Sequence, residues 1–213
     1  MSGCCGGHDD SIAKAAARNH EMRRVLITVL IINLGMFFLE FGAGVIAQSA
    51  SLMADSMDML GDALVYILSL YALDRSARWR AGAALFKGMF ILFLGVGVAV
   101  QIGLKVTYGV PPSTGLMVVF GALALAANLV CLRLLWQFRA ENVNLSSTFE
   151  CSRNDVIANV GVIVAAGGVA AFHSPWPDIA VATVIAFLFL RSAMRVIAEA
   201  WPQYRHPELT PAR

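Results

Sequence analysis

The stretch SLMADSMDMLGDALVYILSL, Ser51–Leu70, has the length of a membrane span but carries three acids in its first two-thirds. Asp55, Asp58 and Asp62 are spaced three and four apart, so on a helix they share one face. Charged groups at mid-membrane are costly, and they face a bundle interior or a water-filled path. Capping explains a carboxylate only in the first turns of a span. Asp55 is near enough to the start to be a cap, or else to line an outward path. Asp62 lies three turns in, roughly 16 Å along the axis, beyond the reach of any cap.

The rest of the chain supplies the surroundings such a span needs. Of 213 residues, 58% are apolar and 14% charged, with a mean hydropathy of +0.69. Soluble domains carry roughly a quarter charged residues, so this is membrane-protein composition. A net charge of +2 is too mild to argue for a nucleic-acid partner. The first twenty residues are polar, and no cleavable leader is read in them. The four cysteines do not form a disulfide framework.

A span needs about 20 predominantly apolar residues. The sequence predicts spans at Val25–Ala47, Ala50–Leu73, Ala81–Val106 and Gly115–Phe138, then Val156–Phe172 and Ile179–Ala198. The expected fold class is an all-α membrane protein, a six-transmembrane-helix bundle with both termini on one side. Lys14, Arg18, Arg23 and Arg24, then Arg75, Arg78 and Arg80, then Arg133, Arg139, Arg191, Arg195 and Arg205 cluster at one set of ends. The opposite links hold almost no basic residue, with Lys105 at the rim, so the N- and C-termini are expected to be cytoplasmic. Residues 1–23 are expected as a flexible cytoplasmic tail, 24–201 as the membrane domain, and 202–213 as a short cytoplasmic tail.

The counterpart of the acid face lies in FECSRNDVIANVGVIVAAG, Phe149–Gly167, where Cys151 and Asp155 stand four apart. Hydropathy alone starts this span at Val156 and leaves both at the membrane edge. Depth argues for an earlier start. Asp58 and Asp62 lie about half-way along the second span, and the fifth runs the opposite way. A helix beginning near Asn142 puts Cys151 and Asp155 nine and thirteen residues in, at the same level. Two such pairs can place four ligands, Asp58, Asp62, Cys151 and Asp155, around one point. Three carboxylates and a thiolate suit a tetrahedral divalent cation, and the thiolate favours zinc or cadmium over magnesium or manganese. The anionic ligands outnumber the charges of the ion, which leaves room for protons to exchange with metal.

At these residues the chain resembles the cation diffusion facilitator family of proton-coupled divalent-metal exporters. The resemblance rests on S-x-S-L-M-A-D-S-x-D-x-x-x-D from Ser49 to Asp62, and on C-x-x-x-D-x-x-x-N from Cys151 to Asn159. PDIAVATVIA, Pro177–Ala186, fits as well. It implies that Asp58, Asp62 and Asp155 are ligands. Cys151 falls where the family usually has His, a departure that bears on which ion is carried. The resemblance also implies a homodimer and, in most members, a soluble domain after the sixth span. The sequence ends about fifteen residues beyond that span, at HPELTPAR, and is expected to be a short member without it.

Other polar residues carry expectations of their own. Glu40, deep in the first span, is expected to orient a ligand, pair with Arg153 or relay protons. Asp55, Asn159 and Arg153 are candidates for the surroundings of the site or a proton path. Cys4, Cys5 and His8 can recruit a soft metal from the N-terminal tip. No P-loop is found, so the chain is read as a gradient-driven transporter and not an enzyme. Its cargo is a divalent cation, zinc or cadmium, with no permanent cofactor. The partners are metal, protons and the lipid bilayer, and the setting is a bacterial inner membrane. Two alternatives stand beside this reading: a proton-coupled transporter of another cation built on Glu40, and a membrane metal sensor that transports nothing.

Overall fold

The computed structural model describes residues 6–72, 77–139 and 143–205. Six helices follow in order: α1 (Gly6–Ala47), α2 (Ala50–Ala72), α3 (Ala77–Tyr108), α4 (Thr114–Trp136), α5 (Val143–Phe172) and α6 (Trp176–Arg205). α5 starts one residue from the expected Asn142, thirteen before the hydropathic start at Val156. The polar NLSST stretch is helical. At the N-terminus, residues 6–23 continue α1 in place of an irregular tail, and Met1–Cys5 lie outside the described residues. The alternation of Ala with Lys, Arg and Glu in SIAKAAARNHEMRR is what strong helix propensity looks like.

Five helices contain stretches long and apolar enough to cross a membrane: His20–Ala47, Ala81–Tyr108, Thr114–Trp136, Ser152–Phe172 and Trp176–Pro202. The molecule is therefore an all-α, multi-pass membrane bundle. α2, which carries the three aspartates, is not among the five. Its position answers the difficulty those acids pose: α2 packs against all five other helices. Its polar face meets protein, so the desolvation cost of a lipid-exposed carboxylate is avoided.

Around α2 the bundle divides into two parts. α1, α2, α4 and α5 pack on one another, while α3 packs chiefly on α6. Small residues permit the α3–α6 approach, as in membrane helix pairs generally. A Cβ on Gly88 would lie 2.6 Å from Ile197 Cγ1, and one on Gly95 would lie 2.5 Å from Leu190 Cδ2. The links α1–α2, α3–α4 and α5–α6 share one end of the bundle, called here the link end. Ser113 at the start of α4 donates its N–H to the Ala47 carbonyl at 3.0 Å, which ties the first two links together.

The α1–α2 turn is tight. Gln48 adopts φ 53°, the left-handed region, and Ser49 N–H returns to the Gly44 carbonyl at 2.9 Å. That is the usual way a helix C-terminus closes, although a non-glycine residue there costs about 1–2 kcal/mol. Beneath the link end lies an apolar layer that includes Leu52, Ala54, Val98, Val162, Ala182 and Ile185.

Because Ile197 has backbone as well as side chain near Gly88, a branched side chain there cannot be absorbed by one rotamer change. Gly88→Val is expected to destabilise the detergent-solubilised protein by about 1–3 kcal/mol, the usual overpacking range. Thermal melting checks this. Gly35→Ala, where an added Cβ meets nothing within 4 Å, should leave the midpoint unchanged or slightly raised.

Candidate metal site

Asp58 and Asp62 from α2 and Asp155 from α5 line one cavity of about 480 Å³. Asp62 and Asp155 are buried and Asp58 is half-buried. The three are close enough to interact electrostatically, and Asp55 also acts on Asp155. Two helices running in opposite directions thus present acids at one depth, as the early start of α5 requires. Among the described residues, no three His, Cys, Asp or Glu side chains are drawn together tightly enough to grip one ion. The cavity is wider than an ion. Cys151 is on α5, one turn before Asp155, but its side chain lies outside the described residues. The same holds for His8, while Cys4 and Cys5 fall outside altogether.

The opposite wall of the cavity is basic. Lys87 of α3 and Arg191 and Arg195 of α6 line it with Ser192. Arg191 and Arg195 belong to the basic set that clusters at one set of span ends, a placement that says nothing of what they face. The signal was present, since Arg191 and Arg195 are four apart on one helix face and Lys87 stands ten residues inside α3. Three acids and three bases thus line the same cavity, and their formal charges balance. These bases sit in the half of the bundle nearest the termini, so the cavity extends from mid-bundle toward that end.

Asp55 and Glu40 form a separate pair. Both are fully buried, at 1% and 0% exposure, and their carboxyl groups face each other. No hydrogen-bond donor among the described residues reaches either Glu40 oxygen. Asp55 is therefore not a cap. The N-terminus of α2 is capped otherwise, by Ser49 Oγ on Leu52 N–H at 3.2 Å and by a carboxylate from α6, Asp178. The suggested Glu40–Arg153 pair is replaced by Glu40 facing Asp55, and Arg153 is exposed on α5. Asn159 is buried, and its Nδ2 donates to the Asp155 main-chain carbonyl at 2.7 Å, not to the carboxylate. Its Oδ1 has no hydrogen-bond partner among the described residues.

The fold is thus that of a multi-pass membrane bundle whose cavity is lined by acids on one pair of helices and bases on another. Residues 26–203 match the cation efflux transmembrane domain family, and the chain belongs to that family. It is 27% identical over 185 residues to the metal cation efflux system protein CzcD of Cupriavidus metallidurans, covering 76% of this chain and 58% of that protein. A cation efflux system protein CzcD of an Alcaligenes species matches to the same extent. The "cadmium, cobalt and zinc/H(+)-K(+) antiporter" of Bacillus velezensis is 21% identical over 192 residues, 84% of this chain and 61% of that protein. The chain thus spans about three-fifths of the length of these relatives.

The basic wall gives a test of the electrostatics. Removing positive charge beside a cation site strengthens cation binding, and salt screens the difference. Arg191→Gln with Arg195→Gln is expected to tighten cadmium binding about two- to tenfold at low ionic strength, and less at high. Titration calorimetry at two salt concentrations measures both.

Proposed function

We propose that this protein carries a divalent cation, zinc or cadmium, out of the cytoplasm in exchange for protons, by alternating access. All six helices cross the membrane in this reading, with both termini cytoplasmic, in a bacterial inner membrane. Asp58, Asp62, Cys151 and Asp155 bind the ion. The observation that carries the reading is the single cavity shared by Asp58, Asp62 and Asp155, on two antiparallel helices of a cation efflux bundle.

Physical chemistry supports each part. Carboxylates and a thiolate bind metal only when deprotonated, so cation and protons compete for the same groups. The cavity extends toward the end rich in Lys and Arg, the cytoplasmic end by their placement. The sulfur of Cys151 inclines the site toward zinc-like and cadmium-like ions. The name of the Bacillus relative joins cadmium and zinc to proton exchange. The Glu40–Asp55 pair, two acids facing each other in the bundle interior, is suited to holding a proton in transit. Two copies form a homodimer, as the family resemblance implies.

Metal flux into proteoliposomes, driven by a proton gradient, tests the reading. The parent chain is expected to move zinc and cadmium, and Asp62→Asn or Asp155→Asn to abolish both flux and binding. Glu40→Gln should keep metal binding while uncoupling flux from the gradient. Loss of metal binding in that variant would favour the rival in which Glu40 is the principal acid. Parent liposomes that bind cadmium yet move no zinc, cadmium or cobalt would leave a sensor.

Cys151 sets the preference among ions. Replacing thiolate by imidazole in Cys151→His is expected to shift selectivity from cadmium toward zinc by about an order of magnitude. Competition of the two ions in the same flux assay reads this directly.

A further inference from the structure

Asp178 opens α6, yet its carboxylate serves α2. Oδ1 accepts from Ser51 N–H at 3.0 Å, Ser51 Oγ at 2.6 Å and Ser49 Oγ at 2.7 Å. Oδ2 accepts from Ala50 N–H at 2.8 Å and from Lys105 Nζ of α3 at 2.8 Å. Lys105 also donates to the carbonyl of Gln48, the left-handed residue of the α1–α2 turn. Asp178, Ser49 and Ser51 have no exposed surface, and Lys105 has 8%. One carboxylate thus joins α6, α3 and the first turn of α2, where the helix dipole adds to its hold.

This cluster is at the link end, and the carboxylate cavity extends the other way. Between them lies the apolar layer of Leu52, Ala54, Val98, Val162 and Ala182. Ile185 belongs to that layer and also lines the cavity, so it is the cavity floor. A cation leaving by the link end has to pass both the layer and the Asp178 cluster. α3 and α6, packed closely through Gly88 and Gly95, are built to move as one body against α2.

We propose that the Lys105–Asp178 pair is a latch: it holds the α3–α6 pair against the N-terminus of α2, seals the site on the link side, and parts in each transport cycle. The proposal rests on the alternating-access reading above. A contact meant never to open gains little from buried charge, since an apolar replacement is often as stable. A contact that opens to water does gain. Lys105 and Asp178 are then rehydrated, so the open state recovers the solvation that closure removed, and the two states stay close in free energy.

The test uses the full chain in liposomes, with Ala182→Cys as a reporter inside the apolar layer and a membrane-impermeant maleimide added at the link side. Labelling of the parent without the reporter gives the native-cysteine background. If the open state is a minor one, Lys105→Met is expected to speed reporter labelling about tenfold, and Lys105→Arg to restore the parent rate. Lys105→Gln, which keeps a donor for Gln48 but loses the charge, should behave like Lys105→Met and serves if that variant does not fold. A lowered melting point with an unchanged labelling rate in the folded variants would overturn the latch and leave a static staple. The labelling reads the latch without any flux. Parent liposomes that move no metal therefore count against the transport reading and not against this measurement.

Discussion

Three carboxylates on one span cannot face lipid, and the architecture follows from that constraint. An ion placed in hydrocarbon loses its hydration without replacement, so a helix carrying Asp55, Asp58 and Asp62 is stable only where protein surrounds it. α2 meets this requirement by touching every other helix of the bundle. The remaining five helices carry the lipid-facing surface, with Phe38, Phe93, Val164 and Phe187 more than three-fifths exposed on their outer faces. What looks like a defect in α2 is the reason it is central.

The division of charge follows from the same geometry. At the link end, Asp178 has five donors, one of them a lysine. At mid-bundle, Asp58, Asp62 and Asp155 share a cavity with three basic side chains across it. Deeper in, Glu40 and Asp55 face each other, and no cationic side chain among the described residues bonds Glu40. These are three different answers to the cost of burying an acid: full hydrogen bonding, opposed charge across water-accessible space, and pairing of acid with acid. The first makes a closed joint with every acceptor position engaged. The other two leave carboxylates whose charge is incompletely compensated, and such groups are the ones able to take up a cation or a proton.

Much of this was legible in the sequence, and the reason is periodicity. The i, i+3 and i+4 spacings of the aspartates fixed a face, and matching their depth moved the start of the fifth helix from Val156 to near Asn142, against hydropathy. The structure begins that helix at Val143. The long-range pairings were not legible. Lys105 and Asp178 are 73 residues apart and each looks like a solvated rim residue; only the tertiary fold shows them buried together. Asp55 stood between two readings because position along a helix does not say what lies opposite, and what lies opposite is Glu40. The part of Arg191 and Arg195 in the cavity was hidden by the positive-inside pattern, which accounts for a basic residue without asking what it faces.

A carrier has to let its two openings compete on nearly equal terms, since a state favoured by several kcal/mol traps the cargo on one side. The bundle provides the means for such balance. Its α3–α6 pair is closely packed, with Ile197 and Leu190 against Gly88 and Gly95, and in the proposed cycle it moves as a unit against α2. In the proposed cycle that seam is sealed at the link end by the Lys105–Asp178 pair, whose ions lose little when water replaces their partners, and by small side chains such as Ala54 and Ala182. At the other end the seam is the cavity that Asp58, Asp62 and Asp155 share with three bases. A cation bound to Asp58, Asp62 and Asp155 would remove the repulsion among these acids and change the relative energies of the two openings. In the proposed cycle the charge of the cargo would thereby be coupled to the position of a pair of helices that holds none of the proposed metal ligands.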